Sequence, residues 1–170
     1  MIEIAPMTAD HWPAVAAIYA EGIATGNATF APAPPVSWKA WAAGRITGCS
    51  LIARDGAQML GWACASPTSS RAVYAGVAEH SIYIAAVARG RGVGSMLLGT
   101  FIITTELHGI WALQASIFPE NEASARLHVR QGFRLVGRRE QVGLMTYGPW
   151  GGQWRDTLLI ERRSSVVGVS

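Results

Sequence analysis

The sequence predicts an α/β (α+β) domain in which a mixed, mostly antiparallel sheet of six to seven strands carries helices on both faces. Three observations lead there. The apolar patterns run in the order strand, two helices, three strands, helix, strand, helix, two strands, an alternation that layers helices over a sheet. Half of the 170 residues are apolar, enough to give one domain a good-sized core. A glycine-rich turn, Arg89-Gly-Arg-Gly-Val-Gly94, joins an apolar strand-like run to an apolar helix-like run.

Ile2–Ala5 reads as the first strand. Thr8-Ala-Asp10 offers a helix cap, and Val15, Ile18, Tyr19 and Ile23 then repeat at helical spacing to about Gly22. Thr25–Phe30 is a loop, and Ala31-Pro-Ala-Pro-Pro35 holds too many prolines for regular structure. Ser37 caps a second helix bearing Trp38, Trp41 and Ile46. Ser50–Arg54 and Met59–Ala65 are strands joined by an Asp55-Gly56 hairpin turn. A small polar loop from Ser66 to Ala78 precedes the strand Glu79–Val87. Beyond the glycine turn, Val93, Met96, Leu97, Thr100, Phe101 and Thr104 mark one helical face. Trp111–Phe118 is a strand, Asn121–Gln131 a helix, and Arg134–Val142 and Trp154–Glu161 close the sheet. A single domain over residues 1–163 is expected, with Ser164–Ser170 a frayed, flexible tail.

Charged residues make up only 15% of the chain, which leaves little surface repulsion and favours an oligomer. Seven tryptophans point the same way, because aromatic residues gather at interfaces and in ligand pockets. The net charge of +3 is mild, and basic residues cluster only as pairs: Arg89/Arg91, Arg138/Arg139 and Arg162/Arg163. No Lys/Arg block argues for nucleic acid. Cys49 and Cys64 stand alone without metal-ligand spacing, so they read as buried, reduced thiols, and no metal is expected. The N-terminus has no basic-then-apolar leader pattern, and no apolar stretch nears the ~20 residues that span a bilayer. A soluble, cytoplasmic protein without membrane contact is expected.

The glycine turn carries the chemistry. Glycines at every second position, Gly90, Gly92 and Gly94, leave the loop almost without side chains. Its N–H groups can converge on one point, with the positive end of the following helix dipole behind them: an anion cradle suited to a diphosphate. Arg89 and Arg91 add two charges that can pair with phosphate oxygens. A Walker loop is excluded, since no lysine follows. A dinucleotide fingerprint is excluded by the spacing and by the lack of an acid near Trp111. A flexible turn with a solvated arginine pair has the same composition, and the loop alone does not separate the two.

The pattern Arg-x-x-Gly-x-Gly from Arg89 to Gly94 resembles the acetyl-CoA loop of the GNAT family of N-acetyltransferases. Asn121-Glu-Ala-Ser-Ala-Arg-Leu-His-Val-Arg-Gln-Gly-Phe133 is similar to that family's second motif, which contacts the pantetheine arm. The resemblance extends from Ile2 to about Arg162. It implies the acyl-CoA N-acyltransferase fold, a homodimer, and acetyl-CoA held by Ala86, Val87, Arg89, Gly90, Arg91, Gly92, Val93, Gly94, Ser95, Asn121 and Ser124. The backbone around Ala85–Val87 would supply amides for the acetyl carbonyl.

Acetyl transfer to an amine needs a base for the ammonium proton, a donor for the carbonyl oxygen and a proton for the departing thiolate. The amine itself attacks, so no protein nucleophile is required. Glu79 is the candidate base. At strand period Glu79, Ser81 and Tyr83 share one face, and His80, Ile82 and Ile84 the other. A part-buried carboxylate at the start of this strand would accept a proton well; a solvated strand end is the alternative. Glu79-His-Ser-Ile-Tyr83 resembles the Glu-x-Ser-x-Tyr motif of the phosphinothricin and methionine-sulfoximine acetyltransferase branch, where this glutamate is the proposed base. Asn121, Ser124 and His128 fall on one helical face. Asn121 also reads as a helix N-cap. His128 stands where many relatives carry a tyrosine proposed to protonate the thiolate, and packing is its other reading.

Further branch-like segments are Ile18-Tyr19 with Thr25…Thr29-Phe30, which would line the acceptor pocket. Gln141-Val-Gly143 and Trp154-Arg-Asp156 would lie near the active site or dimer interface. The resemblance therefore implies an acceptor site of Phe30, Arg71, Tyr74, Glu79, Ser81 and Trp154, taking a small-molecule amine that resembles an amino acid. Two departures stand out. Ala75 and Val77 occupy the arginine and threonine slots of the branch's Tyr-Arg-x-Thr-x-Glu, leaving Arg71 as a substitute guanidinium. Leu144–Gln153 is longer than the equivalent turn, and its Tyr147 and Trp150 either cap the pocket or bury in a partner subunit. Ala75 keeps open another acceptor, such as an antibiotic, a polyamine or a protein N-terminus. A non-catalytic acyl-CoA sensor is the reading from a different class.

Overall fold

The computed structural model describes residues 1–169. Its strands are β1 Ile2–Pro6, β2 Ser50–Asp55, β3 Gln58–Pro67, β4 Val77–Ile84, β5 Ala112–Ile117, β6 Arg134–Leu144 and β7 Trp154–Arg163. Its helices are α1 Trp12–Ala24, α2 Trp38–Ala42, α3 Val93–Leu107 and α4 Glu122–Arg130. The strands form one seven-stranded sheet in the order β1-β2-β3-β4-β5-β7-β6. Every neighbouring pair is antiparallel except β4 with β5.

Several element ends differ from the sequence reading. A 3₁₀ turn, Ala9–His11, separates Thr8 from α1, and His11 Nδ1 accepts the Thr8 N–H at 3.0 Å. The helix starts instead at Trp12, where Pro13 occupies a first-turn position that needs no N–H. Ser37 Oγ accepts the Ala40 N–H at 3.2 Å, so the α2 cap is real. That helix ends at Ala42, short of Ile46, whose N–H donates to Ala65 O at 2.9 Å. β4 stops at Ile84 rather than Val87, because Ala86–Ala88 coil into a 3₁₀ turn.

Strand alternation sorts the layers. Trp62 Nε1 donates to Val15 O at 3.1 Å, and Trp62 stacks on Tyr83 with ring centroids 4.5 Å apart. Tyr19 meets both rings edge-on, so α1 covers the face that Trp62, Glu79, Ser81 and Tyr83 share. On the opposite face His80 packs 6.0 Å from Phe101 of α3, and His128 of α4 lies beside it. The core spans both layers, with Trp41, Trp62, Phe101, Leu97 and Leu98 all but sealed from solvent. Gly22 has no side chain because a Cβ there would stand 2.6 Å from the Tyr83 ring.

One feature of the pairing creates the site. β4 and β5 are hydrogen-bonded only over Val77–Glu79 and Ala112–Gln114. Past that point β4 runs on to Ile84 and β5 to Ile117 without a shared ladder, so the sheet splits into a wedge. Beyond β7, Ser164 donates its N–H to Trp111 O at 2.8 Å, and Gly168 rests against the Trp111 ring. Ser170, the end of the expected frayed tail, lies outside the described residues. Among the described residues no helix is long and apolar enough to cross a membrane.

Candidate active site

The wedge holds a cavity of about 630 Å³ that runs from the α3/α4 face of the sheet to the α1 face. On the α3/α4 side the glycine turn forms its wall. Gly90 has φ +74° and Gly92 φ +79°, conformations that any Cβ would strain. A Cβ at either position would meet no heavy atom within 4 Å, so the space above the turn is open. No amide from Gly90 to Gly94 makes a bond to a backbone carbonyl among the described residues. Unspent donors, an open concavity and the first turn of α3 together suit an anion. Gly94 has a second reason to be glycine: a Cβ there would sit 3.2 Å from Leu127 of α4. Arg89 lines the cleft, whereas Arg91 turns outward to Asp55, 4.0 Å away.

Three more expected cofactor contacts lie outside the cavity. Ala86 donates its N–H to Glu21 Oε2 of α1 at 2.8 Å, and neither Ala86 nor Val87 lines the cavity, because the 3₁₀ turn carries them off the strand line. Ser95 Oγ accepts from Gln131 Nε2 at 2.8 Å and also lies outside it. Asn121 and Ser124 do line it. The Asn121 carboxamide is engaged at both ends: Oδ1 accepts the Ser124 N–H at 3.2 Å, and Nδ2 donates to Asn27 O at 3.1 Å. The helix cap thus also stitches α4 to the loop after α1.

Glu79 stands at the apex of the wedge, in register with Gln114, whose Nε2 donates to Glu79 Oε2 at a long 3.4 Å. Its side chain is exposed rather than part-buried, since the strands part just beyond it. Ser81 and Phe30 also line the cavity. Phe30 packs edge-on against Phe118 at 4.9 Å and lies over Gly143 of β6, where a Cβ would come within 2.7 Å of its ring. Thr157 Oγ1 on the same side is buried and has no partner among the described residues. The Tyr83 phenol lines the cavity too, and burial pushes its pKa up, so it stays a neutral donor.

His128 is 2% exposed and lines the cavity. Its Nδ1 lies 2.7 Å from Ser124 O, and its Nε2 lies 2.8 Å from His80 Nε2. Burial lowers its pKa below the ordinary histidine value.

Arg71, Tyr74 and Trp154 do not reach the cleft. Arg71 precedes a 3₁₀ turn, Ala72–Tyr74, and its guanidinium sits 5.7 Å over the Tyr74 ring on the surface. Trp154 is 59% exposed because β7 alternation turns its neighbours, Arg155 and Thr157, inward instead. Asp156 pairs with Arg138 and accepts the Gln141 N–H at 2.8 Å, fixing the bulge in β6 where Gln141 has φ +49°.

Arg155 is the residue the sequence reading missed. It is 3% exposed and donates to Gly26 O at 3.0 Å, Asn27 Oδ1 at 2.9 Å and Glu120 Oε2 at 2.9 Å. The Phe118 and Trp150 rings pack on it at 4.0 and 4.2 Å. The 144–153 loop therefore folds onto its own protomer. Trp150 stacks on Arg155, and Tyr147 donates its hydroxyl to Thr29 O at 2.6 Å. Both hold the 25–30 loop, which lines the cavity. Among the described residues no group of three His, Cys, Asp or Glu side chains could hold a metal ion.

A sheet split between its fourth and fifth strands, with a glycine cradle on the helix that follows the fourth, defines an acyl-CoA transferase architecture. The Acetyltransferase (GNAT) family pattern matches residues 14–133, and the chain belongs to that family, whose acetyl donor is acetyl-CoA. It is similar to the phosphinothricin N-acetyltransferase of Alcaligenes faecalis, 36% identical over 90% of this chain and 78% of that one. The Streptomyces coelicolor phosphinothricin N-acetyltransferase is 38% identical over 57% of each chain. An L-methionine sulfoximine/L-methionine sulfone acetyltransferase of Pseudomonas paraeruginosa is 32% identical over 81% of this chain and 83% of that one. Among solved structures, a phosphinothricin acetyltransferase from Sinorhizobium meliloti in complex with acetyl-CoA superposes with TM-score 0.85 at 27% identity, over 99% of this chain and 91% of that one.

Proposed function

We propose that this domain, residues 1–163, transfers acetyl from acetyl-CoA to the primary amine of a small amino-acid-like acceptor, of phosphinothricin or methionine sulfoximine type. The amine attacks directly in a ternary complex. The observation that carries this reading is the position of Glu79, at the apex of a cleft with an anion cradle on one side and an aromatic pocket on the other.

When bound, acetyl-CoA supplies an activated thioester carbonyl. The amides of Gly90–Gly94 and the Arg89 guanidinium hold its diphosphate. Glu79 takes the ammonium proton, directly or through water, which its exposure permits. Phe30, Ser81 and Tyr83 orient the acceptor, and Thr157 Oγ1 offers it a hydroxyl. His128, at the cleft wall, would supply the proton that a departing thiolate needs.

A homodimer and a cytoplasmic location belong to the same proposal. β6 pairs only with β7, and its other edge is bordered by exposed apolar side chains: Leu135 at 56%, Val136 at 46% and Leu144 at 45%. An open strand edge bearing exposed apolar side chains offers a surface on which a second copy could pair. Cys49 and Cys64 are both free and buried, and burial pushes Cys64 up to about 11, in keeping with a reducing compartment.

A second reading, an amine of other chemistry, draws on the exclusion of Arg71 from the cleft and on Ala75, which leave Arg89, at the glycine cradle, as the one arginine among the described lining residues. The experiment is a panel of amines scored by thiol release, with Glu79→Gln beside wild type. The proposal expects turnover with an amino-acid analogue and a ~10²–10⁴-fold loss in the variant, acetyl-CoA affinity being kept. Full turnover in Glu79→Gln would contradict it.

A further inference from the structure

His80 follows the candidate base in sequence but points to the opposite face, and the mechanism above gives it no task. It is 4% exposed, its Nδ1 lies 3.0 Å from Gln114 O, and its Nε2 lies 2.8 Å from His128 Nε2. His128 Nδ1 in turn lies 2.7 Å from Ser124 O.

The proton count of this chain is the key. The two rings make contacts carbonyl–Nδ1, Nε2–Nε2 and Nδ1–carbonyl, and each contact needs one proton to be attractive. Two neutral imidazoles carry one proton apiece. If both Nδ1 atoms hold theirs for the carbonyls, the two Nε2 atoms face each other at 2.8 Å as bare lone pairs. If one proton moves between the Nε2 atoms, one Nδ1 turns a lone pair toward a carbonyl oxygen. In the second arrangement Ser124 Oγ, 3.4 Å from His128 Nδ1, makes only a distant substitute donor. A third proton satisfies every contact at once.

We infer that His80 and His128 form a proton-sharing pair whose geometry is completed by one proton beyond neutrality, and that His80 is the positioning residue that makes His128 a proton donor at the cleft wall. In use, the pair releases the His128 Nδ1 proton to the departing thiolate by way of Ser124 Oγ, the cavity-lining hydroxyl 3.4 Å away, becomes neutral, and recovers one proton from solvent.

The surroundings isolate the pair. Ala65 of β3 stands opposite His80, Gln114 of β5 presents its backbone, Phe101 comes from α3, and Phe133 packs on both rings at 5.1 and 5.0 Å. Glu79 and the Gln114 side chain occupy the other face of the sheet. Among the described residues, the titratable group in contact with the His80 ring is His128. Burial, and then His128, drive the His80 ring down to about 3, so any proton kept near neutrality is kept by the shared contact.

The test is nitrogen-15 NMR of the histidine rings in the wild-type, cofactor-free protein, followed through pH. The inference expects His80 and His128 to take up one proton together, with both Nδ1 atoms protonated in the acid form. Two rings held in fixed neutral tautomers down to acid unfolding, or titrating independently, would overturn it. In His80→Phe, uptake at His128 should fall by about one pH unit, tenfold in proton affinity. An unchanged midpoint would contradict the positioning role; His80→Asn serves the same comparison if the first variant does not fold. The activity arm rests on the proposed function. The alkaline limb of kcat should move to lower pH in the same variant while the KM for acetyl-CoA stays within about twofold. A paired uptake with an unmoved limb would retain the shared proton and remove its part in transfer.

Discussion

Replacing Arg155 by alanine separates the acceptor wall from the cofactor wall. The guanidinium is 3% exposed and serves Gly26 O, Asn27 Oδ1 and Glu120 Oε2 between two aromatic rings. Breaking a buried ion pair costs about 3–5 kcal/mol, because the remaining charge is left unpaired. Glu120 is 41% exposed and can rehydrate, which moves the figure to the lower end, about 3 kcal/mol. For a domain of this size that corresponds to a melting temperature lower by roughly 6–12 °C. The loop from Gly26 to Phe30 loses its anchor, so the acceptor KM should rise by about tenfold or more. The cradle lies on the opposite side of the sheet, and acetyl-CoA affinity should stay within about twofold. Arg155→Lys should restore little, since the three donors of an ammonium radiate from one nitrogen and cannot reproduce the planar fork that spans these partners or stack flat between rings. Thermal melts, calorimetric titration with acetyl-CoA and acceptor kinetics read these effects. A variant that melts within about 2 °C of wild type, or that loses acetyl-CoA while keeping its acceptor, would refute the clamp.

Two further outcomes are expected. Tyr147→Phe removes the 2.6 Å bond to Thr29 O; it should destabilise by about 1 kcal/mol and raise the acceptor KM a few fold, and an unchanged KM would mean the 144–153 loop does not shape the pocket. The Gln141 N–H, then Arg138, hold the Asp156 carboxyl below the usual carboxylate range. Its stabilisation is therefore present above the unfolded-state value and is lost as pH falls through the depressed folded value. Urea melts should show stability dropping below about pH 4, with a shallower drop in Asp156→Asn; an identical slope would show that the bulge does not depend on the charge.

The cradle was legible because its information is local. Glycines at 90, 92 and 94 next to a helix start say where amides are bare, whatever the rest of the chain does. The mixed, mostly antiparallel sheet flanked by helices followed from the order of local apolar patterns for the same reason. Features that depend on distant contacts were not legible. Ala86 lost its amide to Glu21, 65 residues away, which no local pattern announces. Trp154 was chosen over Arg155, although a one-residue step along a strand exchanges the faces. The hydrogen bonds of Arg155 all reach residues 35 or more than a hundred positions distant. Arg71 looked available in sequence, but the 3₁₀ turn after it carries the guanidinium onto Tyr74. The pairing of His80 with His128 spans 48 residues, and alternation alone could only place His80 on the far face.

The claim beneath all of this is that bare amides from Gly90 to Gly94 grip the diphosphate of the donor. Calorimetric titration of the wild-type protein with acetyl-CoA, and in parallel with S-acetylpantetheine, which lacks the diphosphate and nucleotide, tests it directly. The account predicts binding of the first and at least ~100-fold weaker binding of the second, about 2.7 kcal/mol or more. Equal affinity for the two, or no heat from acetyl-CoA, would contradict it.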